Sequence, residues 1–171
     1  MANPDFEVQS LRFDLALLIA KQAHHGQLDL AGQPYLWHLL RVGVSLLPDM
    51  DAAIAGLLHD VLEDDPVSGN FILCRTFTGP ILPAVRTLTR NKPSESYNDY
   101  IRRVALDPLA AKVKFADLAD NLRPDRLAAV AAAKGQERAD ELRQRYIAAL
   151  DYLRGNIFVA EYMARDIFSG S

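Results

Sequence analysis

A His-Asp pair, His59-Asp60, sits inside a stretch that is otherwise almost wholly apolar, AAIAGLLHDVLEDDP (residues 52–66). Residues 52–58 carry no polar side chain, which predicts a helix buried around most of its circumference. An imidazole and a carboxylate are costly there unless they are paired, hydrogen-bonded or bound to a metal. Glu63, Asp64 and Asp65 follow, and Pro66 disfavours the α conformation at Asp65, so one helix is expected over 51–64. Acids at a helix C-terminus oppose its dipole, each at a cost of roughly 0.3–1 kcal/mol, and a nearby cation reverses that sign. In a continuous helix, His59 and Glu63 (i, i+4) and Asp60 and Glu63 (i, i+3) share one face. The chemistry this suits is acid–base work beside a metal. The plainer alternative is a satisfied core histidine and a solvated acidic helix end.

Two further segments add donors of the same kind. His38 lies in PYLWHLLRVG (residues 34–43) among apolar neighbours, where a lone histidine is usually structural but a neutral imidazole is also the commonest metal ligand. In VKFADLADNL (residues 113–122), Lys114, Asp117 and Asn121 are spaced i, i+3, i+7 and form one helical stripe. Asp120 lies off that line and is expected to be less direct. Taken singly, each segment reads as structural, the last as an ordinary Lys–Asp pair. Together they supply two imidazoles and two carboxylates, His38, His59, Asp60 and Asp117. This mixed set suits Mn²⁺, Fe or Zn²⁺ and, with water, the pattern of metal-assisted hydrolysis.

The rest of the chain bounds what such a site could belong to. The 171 residues fit one domain with a sizeable core. A net charge of −3 argues against a general nucleic-acid binder. Local cations can still favour an anionic small-molecule substrate. The single cysteine, Cys74, follows Phe71, Ile72 and Leu73 and is expected to be a buried structural thiol; one cysteine excludes an internal disulfide and fits a reducing cytoplasm. The N-terminus has no signal-peptide pattern, and no apolar run approaches the ~18–20 residues of a membrane span.

The patterning is helical nearly throughout. Helices are expected over about 6–25, 35–47, 51–64, 70–77, 79–89, 95–106 and 108–122, then over 126–153 with a break at Lys134-Gly135. No stretch alternates long enough for a sheet. Asp49 or Asp51 is the expected cap of the helix that carries His59.

Four segments, AHHGQ (23–27), AGQPYLWH (31–38), LLHDVLEDD (57–65) and VKFADLADNL (113–122), resemble the HD-domain metal-dependent phosphohydrolases in order and spacing. The branch resembled is that of guanosine-polyphosphate hydrolases, the hydrolase half of RelA/SpoT-type proteins and the free-standing small alarmone hydrolases. The resemblance spans roughly residues 8–155. It implies an all-α HD-domain helical bundle over residues 1–155, with 156–171 a C-terminal tail or packing segment. It implies one divalent metal on His38, His59, Asp60 and Asp117, usually Mn²⁺ in this branch, with Fe, Zn²⁺ or Mg²⁺ as alternatives. Glu63 and Asp64 would be catalytic, and Lys114 and Asn121 would line the substrate pocket. The implied reaction is (p)ppGpp 3′-pyrophosphohydrolysis to GDP or GTP and pyrophosphate, by a cytoplasmic enzyme with no nucleic-acid or membrane partner.

Departures leave alternatives open. Where the branch usually carries Arg-Lys, with the Arg stacked on guanine, this chain has Asp29-Leu30, and Leu39 replaces a usual proline. A different nucleotide or phosphate ester, or a nucleotide-binding regulatory protein with little catalysis, therefore remains in play. The segment ESYNDYIRRVA (95–105) offers Tyr97, Tyr100, Arg102 or Arg103 to a substrate, or is simply amphipathic. The apolar residues after 156 are open to packing on their own domain or on a second copy.

Overall fold

The computed structural model describes residues 4–30, 32–64 and 66–168, with side chains described for 7–30, 32–63 and 69–156. Ten helices follow one another among these residues: α1 (Pro4–Ala23), α2 (Leu36–Ser45), α3 (Met50–Leu58), α4 (Val61–Asp64), α5 (Pro66–Thr76), α6 (Ile81–Leu88), α7 (Tyr97–Ala105), α8 (Pro108–Asn121), α9 (Pro124–Lys134) and α10 (Gln136–Phe168). The only β pairing among the described residues is an isolated bridge, Leu28 to Pro34, that closes the α1–α2 loop. The fold is all-α, as the periodicity predicts. No described helix is long and apolar enough to cross a membrane.

The apolar run reads through directly into burial. Ala52 to Leu58 are all buried, so α3 is the central helix, with α1, α2, α6 and α8 packed around it. Ile54, Leu57 and Leu58 are completely shielded, each contributing about 1.5–3 kcal/mol from burial. The start of α3 is set by Asp49, whose carboxylate accepts from the Ala52 amide at 3.1 Å while Lys112 of α8 holds its other oxygen at 2.7 Å. Asp107 does the same for α8, accepting from the Leu109 and Ala110 amides at 3.0 Å each, with Pro108 in the first turn. Gly135, at φ 92°, separates α9 from α10 where the sequence expects a break.

Three expectations are corrected. The helix expected over 51–64 is broken: α3 stops at Leu58, and His59-Asp60 form a turn before α4, closed by the Glu63 amide on the Asp60 carbonyl at 3.0 Å. Cys74 is exposed, because Leu73 and Phe77 take the inner face of α5 and leave Phe71, Cys74 and Arg75 outside. The backbone of residues 156–168 continues α10, so the expected end near 153 is not an element boundary.

α2 and α3 approach to backbone contact at two glycines. A Cβ at Gly56 would stand 3.0 Å from Leu46 Cδ1 and 3.1 Å from Gly43 Cα; one at Gly43 would stand 3.0 Å from the Ala53 carbonyl oxygen. The two backbones are in contact, so moving the Leu46 side chain alone would not make room. Gly43 follows His38 by five positions and His59 follows Gly56 by three, so this crossing sets how the two imidazoles meet. Gly56→Ala is expected to cost about 1–3 kcal/mol through overpacking. Thermal denaturation should show a fall of several degrees in Tm, and an unchanged Tm would contradict the crossing.

Candidate metal centre

The ligand candidates arrive from three segments. His38 lies in the first turn of α2, His59 and Asp60 form the α3–α4 turn, and Asp117 is in the second half of α8. The break at His59 serves the site. His59 Nδ1 lies 2.8 Å from the Gly56 carbonyl oxygen, which can only accept, so the proton sits on Nδ1 and Nε2 faces inward. His38 is held the same way from the other side, its Nδ1 donating to Asp120 Oδ2 at 2.7 Å. Arg41, one turn along α2, fixes that carboxylate with Nε at 2.6 Å and Nη2 at 3.0 Å. Both imidazoles thus turn Nε2 towards one point, with ring centroids 5.4 Å apart.

The carboxylates close around that point. Asp60 Oδ2 lies 3.1 Å from His59 Nε2 and accepts a hydrogen bond from the Tyr35 hydroxyl. Asp117 Oδ1 lies 3.1 Å from His38 Nε2 and 3.7 Å from His59 Nε2. Lys114 Nζ donates to Asp117 Oδ2 at 2.7 Å, and Asn121 Nδ2 donates to Oδ1 at 2.6 Å. His38, His59 and Asp117 are almost wholly buried.

Burial alone would push these carboxyls up and the imidazole down, and in each case the neighbours win. Burial raises Asp117, but the Lys114 ammonium and the His38 hydrogen bond hold it well below the usual carboxylate range. Asp60 is lowered against its burial by His59 and the Tyr35 hydroxyl. Asp120 is lowered against its burial by His38 and Arg41. His59, lowered by burial, is lifted by Asp60 and Asp117 to about 9. The centre is a set of anionic oxygens facing two nitrogens.

That arrangement fits a divalent cation. His38, His59 and Asp60 each offer a ligand atom, all within 4.8 Å of one another, and Asp117 Oδ1 joins them through its approach to both imidazoles. His59 Nε2 is fully buried and makes no hydrogen bond of acceptable geometry, although Asp60 stands beside it. A buried ring nitrogen without a hydrogen bond, ringed by carboxylate oxygens, is what a metal ligand looks like without its ion.

The other residues singled out in the sequence fall into two groups. Lys114 and Asn121 do share a stripe with Asp117, and both are engaged with its carboxylate. Glu63 points at the α6–α7 loop, where its carboxylate accepts from the Arg90 amide at 3.1 Å and pairs with Lys92 at 2.6 Å. The side chain of Asp64 lies outside the described residues. In α7, Tyr100 is buried with its hydroxyl on the Leu88 carbonyl at 2.7 Å, and Arg103 binds Glu95 at 2.7 and 2.8 Å; both tie down the loop. Arg102 is exposed and pairs with Asp99. Tyr97 alone of the four has a buried hydroxyl with no hydrogen-bond partner.

Sequence reasoning missed Tyr35 and Arg41; Asp120, expected to be less direct, acts through the outer nitrogen of His38. The signal for Asp120 and Arg41 was their charge on otherwise apolar helical faces. Tyr35, 25 residues from Asp60, left no local signal.

No profile of a known protein family matches the chain. Individual proteins do. Over 78 residues it is 42% identical to the guanosine-3′,5′-bis(diphosphate) 3′-pyrophosphohydrolase of Borreliella burgdorferi, covering 44% of this chain and 12% of that one. Over 132 residues it is 29% identical to the bifunctional (p)ppGpp synthase/hydrolase SpoT of Escherichia coli K12, covering 70% of this chain and 18% of that one. The chain thus spans less than a fifth of the length of these relatives. Among solved structures it is similar to a metazoan ortholog of SpoT that hydrolyzes ppGpp, with a TM-score of 0.71 and 27% identity over 91% of this chain and 94% of that one. The likeness to HD-type RelA/SpoT hydrolases holds in both sequence and fold.

The support behind His38 is open to a direct test. Asp120→Asn keeps the shape but removes the charge that orients the ring and pairs with Arg41. Such outer contacts are worth roughly 10–100-fold in metal affinity. Titration with Mn²⁺ should show a loss of that order with the fold intact, and an unweakened affinity would remove Asp120 from the site.

Proposed function

We propose that this chain is a divalent-metal-dependent (p)ppGpp 3′-pyrophosphohydrolase, releasing pyrophosphate and leaving GDP or GTP. The observation that carries it is the convergence of His38, His59, Asp60 and Asp117 from three separated segments on one buried point. The names of the sequence relatives and the activity of the metazoan structural neighbour supply the substrate. Mn²⁺ is the ion favoured by the resemblance, and the single unpaired cysteine fits a reducing cytoplasm.

The four ligands would hold the ion, which supplies Lewis acidity towards a phosphoryl oxygen and a water of lowered pKa. The protein residues do the rest. Asp120 and the Gly56 carbonyl lock the imidazoles so that no reorganisation is needed during reaction. Tyr35 fixes Asp60 in the same way. Lys114, buried and held charged, offsets the anionic centre and offers its remaining donors to a polyphosphate. Glu63 and Asp64 are assigned to orienting the attacking water and returning a proton to the leaving 3′ oxygen. Lys92 brings positive charge beside Glu63, where a pyrophosphate product would need it.

Purified protein with Mn²⁺ should release pyrophosphate from ppGpp, and a His59→Ala/Asp60→Ala protein should not. Glu63→Gln should keep its metal and lose roughly 10²–10⁴-fold in kcat. Equal release by the double variant, or none by the wild type with one metal bound per chain, would overturn the assignment.

A further inference from the structure

A wide groove runs between α2 and α8, behind the candidate metal centre. Trp37, Leu40 and Val44 line one side and Phe115 and Ala119 the other, at the spacings of helical stripes. Its volume is about 1100 Å³, and Trp37 and Val44 are 55% and 53% exposed. Arg41 and Asp120 also line it, so the groove meets the outer support of His38 and not the nitrogen that faces the carboxylates. Contiguous exposed apolar surface of this kind marks an interaction site.

The groove is also cationic. Arg41, Lys112, Arg123 and Arg154 line it against a single acid, Asp120. Lys112, Arg123 and Arg154 have surface partners in Asp49, Asp125 and Asp151, but none of these three acids lies in the lining. Arg154 belongs to α10 and stands 5.8 Å over the Phe115 ring, so the groove adjoins the start of residues 156–168.

That segment, NIFVAEYMARDIF, matches the groove in composition, charge and length. Seven of its thirteen residues are Ile, Phe, Val, Tyr or Met. At helical spacing they fall on most sides, and a helix apolar around most of its circumference is stable only when covered. Its two acids, Glu161 and Asp166, outnumber its one base, Arg165, opposite to the balance of the groove. A helix over 156–168 spans about 18 Å, and the groove walls, residues 37–45 and 112–123, span about 12 and 16 Å. α10 runs unbroken from Gln136 to Phe168 while the groove beside it stays open, so the occupant comes from a second copy. We propose that the chain forms a two-fold dimer in which residues 156–168 of each copy lie in the α2–α8 groove of the other. The exchange is isologous, so it closes at two copies and covers both grooves and both segments. The seated segment also covers the Arg41–Asp120 pair and keeps water from the contact that orients His38.

Light scattering on the full chain at micromolar concentration should give twice the 19.0 kDa of one copy. Phe158→Asp in the segment and Val44→Asp in the groove should each halve that mass with helical content unchanged. Trp37 is the only tryptophan, so its emission reads the cover of the groove directly, and both substitutions should shift it to the red. Should Phe158→Asp fail to fold, Val44→Asp, at an exposed position, decides alone. A monomeric wild type overturns the inference. So does a dimer that survives either substitution in a folded chain, or one that dissociates without moving the Trp37 emission. Neither metal nor nucleotide enters these readouts, so they stand apart from the hydrolase assignment.

Discussion

The structure depends on one compensation: the mutual neutralisation of charges that the core has enclosed. Asp117 is its hub, with Lys114 on one oxygen and His38, His59 and Asn121 about the other. Removing an ion from water costs several kcal/mol even after relaxation, and the loss is recovered only when the geometry and the remaining hydrogen bonds are good. Here nearly every member has a named partner. The exception is His59 Nε2, and it points where the carboxylates converge. The arrangement makes sense as a cation site, because an ion would satisfy that nitrogen and hold the facing oxygens together.

This electrostatic arrangement is only as good as the backbone geometry beneath it. The ligands come from α2, the end of α3, and α8, and the Gly43–Gly56 contact lets the first two approach to backbone distance. Asp49 then links the start of α3 to Lys112 on α8, on the helix that presents Asp117. Packing, capping and site geometry are thus coupled. A change at the glycine crossing is felt as stability and as the spacing between two imidazoles.

Much of this is legible in the residues, and the omissions have physical causes. The apolar run 52–58 predicts a core helix because nothing in it tolerates water, and α3 is that helix. Periodicity also predicts the α8 stripe, since i, i+3, i+7 spacing is local geometry. It overextends the helix of His59, because no glycine or proline marks the break; the ring's own bond to the Gly56 carbonyl does. The burial expected of Cys74 fails because composition alone does not say which face of α5 turns inward. Tyr35, Arg41 and Arg126 act through tertiary contacts 25 to 97 residues apart in sequence. Such contacts leave no pattern along the chain, and the pairing of Asp29 with Arg126 of α9 is one of them.

The central claim is that four side chains from three segments hold one divalent ion. Anomalous diffraction at the manganese absorption edge, from crystals of Mn²⁺-loaded protein, tests it without reference to substrate. The account predicts a single peak per chain bounded by His38, His59, Asp60 and Asp117, with the imidazoles coordinating through Nε2. A peak elsewhere, or none at an occupied stoichiometry of one ion per chain, would contradict it.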